Sequence, residues 1–263
     1  HDAGPKTFLG KTGNFDGDEV LEILLDQKQT AKFITKKIYK FFVNDTVDDE
    51  KVNWLADRFY QNTYDIGKLM EDIFTSDWFY DEKNIGSKIK SPIELMAGIQ
   101  RMLPMKLENE ESLTFLQRAL GQMLFYPPNV AGWPGGKTWI DSSSLMLRMR
   151  IPQLINDVDE LNVKMKHDDD QMMGRKTPED GMKPMGYGKR SVIRATIDWK
   201  EYIRHFEKVQ KDQLVGSLAS NLLQTKSNVS NELIKQYADA GSKESFIKTA
   251  TLQLMSTPEY QLC

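Results

Sequence analysis

At 263 residues, 40% hydrophobic and 10% aromatic, the chain is long enough to bury a sizeable core, as one domain or two. Its 35 Lys and Arg against 38 Asp and Glu leave a formal charge of -3, which excludes a dedicated nucleic-acid binder with a basic face but not a local basic patch. No apolar run approaches the roughly 18 residues of a helical membrane span, and a single cysteine, Cys263, excludes an internal disulfide and a cysteine-based metal site.

Residues 1–17 hold Gly4, Pro5, Gly10, Gly13 and Gly17, too many breakers for a helix. They read as a loop feeding a helix capped by Asp16 or Asp18. Val20, Ile23 and Leu24, then Phe33, Ile34, Ile38, Phe41 and Phe42, recur at helical spacing with a break at 27–30, and Lys32, Lys36, Lys37 and Lys40 line the other side. A helix over about 49–62 follows, its buried stripe Val52, Leu55, Ala56 and Phe59. Another spans about 65–75 with Ile66, Leu69, Met70, Ile73 and Phe74. Pro92 after Ser91 opens a helix to about Leu103, and a further one runs over about 111–124.

The stretch 121–150, GQMLFYPPNVAGWPGGKTWIDSSSLMLRMR, separates two helical runs. Pro127, Pro128 and Pro134 fix φ while Gly132, Gly135 and Gly136 permit unusual backbone, so this is a shaped loop and not a flexible linker. Asp141 or a neighbouring Ser caps the next helix, which Pro152 interrupts. Residues 157–190 turn charged and rich in Gly and Pro, and read as a long insertion or mobile loop. Helices resume over about 199–224, 230–240 and 242–255. Outside a short hairpin in the insertion no strand alternation stands out. The fold class is therefore all-α: one helical domain, a multi-helix bundle with a long ordered Pro/Gly/Trp loop and a charged, loop-rich insertion. Two segments echo each other, FTSDWFY at 74–80 and MSTPEYQ at 255–261, and read as a shared helix stop.

Several motifs resolve into plainer readings. Gly10-Lys11-Thr12 and Gly136-Lys137-Thr138 lack the earlier glycine of a phosphate loop, where Pro5 and Ala131 stand. Asn14 to Asp18 does not fit a calcium-binding helix-loop-helix, so Asp16 and Asp18 are helix-capping residues first and an irregular calcium site second. His1, His167 and His205 share no metal-ligand spacing. Lys90, Glu94 and Arg101 fall near one helical face, either as a surface ladder or with Glu94 or Arg101 buried and paired. Because three prolines in 126–136 remove N–H donors, Glu94, Arg101, Gln122, Asn129 and Arg148 are expected to converge on that loop's backbone. Trp133 and Trp139 either offer faces to a carbohydrate or anchor the loop in the core.

Taken together, His1-Asp2 with Lys6, Phe15-Asp16-Gly17-Asp18, Ala31-Lys32-Phe33-Ile34, Lys90-Ser91-Pro92-Ile93-Glu94-Leu95, Pro127 through Gly136, Trp139-Ile140, Leu147-Arg148-Met149 and Ser256-Thr257-Pro258-Glu259-Tyr260 resemble the bacterial family called domain of unknown function 1800. The resemblance covers nearly the whole chain except 157–189. It implies a predominantly helical, commonly exported protein, secreted or in the cell envelope, of which this is the C-terminal portion. Its partners would be the preceding portion of the same protein and an envelope protein or glycan. It carries over no activity, cofactor or catalytic residue. The candidate binding residues are His1, Asp2, Lys6, Glu94, Arg101, Gln122, Asn129, Trp133, Trp139 and Arg148. They serve either a ligand cleft at the central loop or a structural or assembly protein in which that loop is a rigid core plug.

Overall fold

The computed structural model describes residues 3–108, 110–157, 160–161, 191–192 and 195–263, and among them helix predominates, so the fold is all-α with a few short ladders. The chain forms two compact units, His1–Ser87 and Lys88–Cys263, each with its own core.

The first unit opens with an antiparallel hairpin, β1 (Lys6–Phe8) and β2 (Lys11–Gly13), where a plain loop was expected. Leu9 and Gly10 form its two-residue turn with φ of 48° and 81°, the doubly left-handed turn whose twist matches paired strands. Leu-Gly is a poor advertisement for that turn, which usually begins with Asn or Asp. Asp16 then caps α1 (Gly17–Leu25) reciprocally, its carboxylate accepting from the Glu19 N–H at 2.9 Å while the Glu19 carboxylate accepts from the Asp16 N–H at 2.9 Å. Helices α2 (Lys28–Phe42), α3 (Asp49–Gln61) and α4 (Ile66–Phe74) follow, the last two capped by Asp48 and Asp65. The α3 stripe Val52, Leu55, Ala56 and Phe59 is buried as its periodicity demands. In α4, Leu69 and Ile73 are buried, but the first and last residues, Ile66 and Phe74, stay exposed.

In the second unit α5 (Pro92–Met102), β3 (Met105–Leu107) and α6 (Glu110–Leu120) lead to the central loop and α7 (Ser142–Asp157). β4 (Glu160–Leu161) and β5 (Ser191–Val192) pair antiparallel at the margins of the charged insertion, which otherwise lies outside the described residues, His167 included. β6 (Ala195–Ile197) pairs with β3, a ladder too short to show alternation in sequence. The single helix expected over 199–224 is two, α8 (Trp199–Arg204) and α9 (Leu214–Leu222). Lys243 satisfies carbonyls freed by the break, donating to those of Glu207 and Val209 at 2.6 and 2.8 Å. α10 (Asn231–Tyr237) and α11 (Lys243–Met255) complete the unit. The two echoing segments behave alike: Ser76 and Ser256 each donate to the carbonyl four residues back, and a 3-10 turn follows.

Candidate functional site

The central loop starts where α6 stops. Gly121, at φ 84°, donates to the Arg118 carbonyl while the Gln122 N–H reaches back to that of Gln117, the paired bonds of a glycine-terminated helix. This ends α6 at Leu120, earlier than the apolar pattern alone suggested. The Gln122 side chain then accepts from the Ile93 N–H at 3.0 Å, in the first turn of α5. Ser91 caps the same helix, its hydroxyl accepting from the Glu94 N–H at 3.2 Å while the Glu94 carboxylate accepts from the Ser91 N–H at 2.7 Å. With Pro92 offering no N–H, this helix start has no donor left over for a ligand.

The loop's far end is tied down as well. Trp139 is buried in a 3-10 turn, and its carbonyl accepts from the Ser144 hydroxyl at 3.2 Å. Asp141 and Ser144 cap α7 reciprocally: the Asp141 carboxylate accepts from the Ser144 N–H at 2.7 Å and the Ser144 hydroxyl from the Asp141 N–H at 2.9 Å. Two turns on, α7 carries Arg148, which is 0% exposed. Its Nη2 donates to the Lys90 carbonyl and its Nε to Gln261 Oε1 at 3.1 Å. Lys90 in turn donates from its N–H to the Gln261 carbonyl at 2.8 Å and from Nζ to the Tyr260 carbonyl at 2.7 Å, with the ammonium 4.0 Å from the Tyr260 ring centre. A closed circuit results. The start of the loop is bonded to α5, its end to α7, and α7 grips the residue just ahead of the α5 cap.

Burial sets the electrostatics of this knot. It pulls the Arg148 guanidinium down from 12.5 to about 10, against a smaller opposing pull from Glu94. Lys90 is lowered for the same reason, with Arg148 adding to the effect and Cys263 and Glu94 opposing it. Burial raises the Tyr260 phenol. Among the described residues, Arg148 Nη1 and Gln261 Nε2 find no acceptor. Arg148 remains protonated near neutrality, so it serves here as a donor and not as a base.

The sequence-derived candidates separate on this geometry. Glu94, Gln122 and Arg148 meet around the start of α5, but Arg148 serves Lys90 and Gln261, not the carbonyls of 126–136 as expected. Glu94 and Arg101 are both exposed, so neither forms the buried pair considered above. Nor do Lys90 and Glu94 form a helical ladder, since Lys90 precedes the cap. Asn129 turns inward on the loop, accepting from the Ala131 N–H at 2.8 Å. Trp133 is half-buried, Trp139 buried. Lys6 lies in the hairpin of the first unit, donating to the Gly4 carbonyl and Asn14, while His1 and Asp2 lie outside the described residues. The Asp16 carboxylate is engaged as a cap and Asp18 is exposed. Sequence reasoning missed Gln261 and the Lys90 carbonyl as the partners of Arg148, and Tyr260 as the partner of the Lys90 ammonium. Tyr260 falls in the Ser256–Tyr260 motif quoted above, but nothing in that motif points to α7.

Outside the knot, the tip of the loop faces solvent: Phe125 is 96% and Val130 108% exposed, with Leu124 beside them. Phe125 has φ 62°, a left-handed conformation costly for a bulky residue. A separate shallow hollow of about 360 Å3 opens elsewhere in the unit, lined by Gln153, Leu233, Tyr237 and Gln253 among others. Among the described residues no group of three His, Cys, Asp or Glu side chains gathers to hold a metal, and no helix is long and apolar enough to cross a membrane. No curated protein and no solved structure matches the chain. The family model described as "Protein of unknown function (DUF1800)" matches residues 1–262, and the chain belongs to that family.

Proposed function

We propose that this chain is an interaction protein, exported to the cell envelope or secreted, whose Pro-Trp loop is a fixed platform presenting an apolar tip to a partner protein. The observation that carries the reading is Phe125, fully exposed and held in a strained conformation on a loop bonded down at both ends. Strain and exposure both work against stability, so the ring's use lies outside the fold. The partner is an envelope protein, or the further portion of the chain that the family resemblance implies. Export rests on the resemblance alone, and fractionation of the producing cells tests it. For the platform, a photo-crosslinking phenylalanine analogue at 125 should give a discrete adduct in cells that the same analogue at exposed Lys137 does not. Equal labelling at both positions would end the reading. Trp133, whose indole is only half-buried, favours a glycan cleft at the same loop as a second reading. A change in tryptophan fluorescence on adding soluble peptidoglycan fragments, lost in Trp133→Phe, would support it.

A further inference from the structure

Helix α2 carries Lys28, Lys32, Lys36, Lys37 and Lys40 and no acidic residue, in a chain whose overall charge is negative. Ala31, Thr35 and Tyr39 are its buried stripe. On the opposite side Phe33, Lys36, Lys37, Lys40 and Phe41 follow the i, i+3, i+4, i+7, i+8 spacing of a single face. Phe33 is 56% and Phe41 64% exposed, and the Lys37 ammonium lies 4.6 Å from the Phe33 ring centre. The aromatic surface continues beyond the helix through ring contacts, Phe41 to Phe42 at 4.8 Å, Phe42 to Phe74 at 5.9 Å, Phe74 to Phe79 at 5.2 Å and Phe79 to Tyr80 at 5.1 Å. Of these, Phe42, Phe74 and Tyr80 are themselves exposed. Asp81, next to Tyr80, is matched by Lys83 at 3.7 Å.

We propose that this face docks on an anionic lipid bilayer, its rings entering the headgroup boundary and Lys36, Lys37 and Lys40 lying against lipid phosphates. Charge complementarity selects that occupant, since the helix offers positive charge only. The interleaving selects it further. An apolar protein groove would have to desolvate the lysines standing between Phe33 and Phe41, whereas at a bilayer their stems lie along the apolar zone while the ammonium groups stay wet. The surface lies in the first unit and does not depend on the loop reading.

Co-sedimentation of the full 263-residue chain with vesicles tests it, using phosphatidylcholine alone and phosphatidylcholine with about one-third phosphatidylglycerol. Binding is expected to the anionic vesicles, to weaken as salt is raised, and to fall on the order of 100-fold when Lys36, Lys37 and Lys40 are all changed to Gln. Phe33→Ser with Phe41→Ser should lower it as well. All five side chains point away from the core, so an unchanged helical circular-dichroism spectrum separates lost docking from lost folding, and the salt series on the unaltered chain stands without the variants. Equal binding to both vesicles, or none to either, would overturn the proposal. So would a salt-insensitive dimer in sedimentation velocity, abolished by Phe41→Ser without lipid binding, which would make a second copy the occupant.

Discussion

Arg148 holds the carbonyl of Lys90 across 58 residues of sequence, joining α7 to the segment that leads into α5. The bond is made by a guanidinium with no solvent exposure and a pKa drawn from 12.5 to about 10, a burial cost of roughly 3 kcal/mol. Arg148→Ala relieves that cost. It also opens a cavity and strands two acceptors, the Lys90 carbonyl and Gln261 Oε1, and the second group of effects is the larger. A net loss of roughly 3 kcal/mol is expected in urea unfolding, from the cavity and the stranded acceptors together. Arg148→Met, which fills the space without the charge, should lose less, and Arg148→Lys should not rescue, because one ammonium cannot reproduce the two-directional fork. A change within about 0.5 kcal/mol for Arg148→Ala would mean that the knot does not hold the loop.

At the other end of the circuit the start of α5 depends on Ser91 and Gln122. Ser91→Ala removes the acceptor for the Glu94 N–H and should cost about 1 kcal/mol, the usual value of a helix cap. Gln122→Ala leaves the Ile93 N–H without its acceptor and also unties the loop, for a loss of about 1–2 kcal/mol. Thermal unfolding of both single variants and the double would measure this. A sum well short of additive is expected, since both serve one helix start.

Much of the helical frame was legible, because the cues were local. The α3 stripe, the caps Asp16 and Ser91, and Asp141 ahead of α7 all lie within a turn or two of what they stabilise. Arg148 was recognisable as a donor to backbone carbonyls, but its burial and its acceptors were not. A backbone carbonyl carries no residue-type signature, and Gln261 stands 113 residues away. Lys90 was misplaced by periodicity, which extends a helix backwards past its cap unless Ser-Pro is allowed to overrule it. The Lys6–Gly13 hairpin was hidden by a Leu-Gly turn, and Met105–Leu107 by having only three residues.

Alkaline pH should unfold the protein through its buried phenols. Burial raises the pKa of Tyr39, Tyr202 and Tyr260, with Asp48 adding to the effect at Tyr39. Each phenol therefore keeps its proton in the folded state at a pH where the unfolded chain gives it up. Their contribution is intact below the ordinary tyrosine value of about 10 and is lost as pH rises above it. Tyrosinate absorbance from the buried three is expected to rise only together with loss of the helical signal. A single smooth titration with the helices intact would show that these rings are open to solvent.

Phe125 offers the sharpest separation between a presented tip and a core plug. Its φ of 62° costs an L-residue roughly 1–2 kcal/mol, which glycine would not incur. Phe125→Gly should regain that amount and lose roughly 0.5–1 kcal/mol to the greater freedom of the unfolded chain. With the ring 96% exposed, almost no packing is forfeited. The expected net change is therefore between about zero and about 1.5 kcal/mol, on the stabilising side. Phe125→Ala, which keeps the strained backbone and removes the ring, should be close to neutral. A ring packed in the interior would behave otherwise, since truncating a buried Phe costs roughly 3–5 kcal/mol. Urea midpoints for the two variants decide between these outcomes: a loss on that larger scale would mean that the loop is a plug in solution and that the platform reading fails.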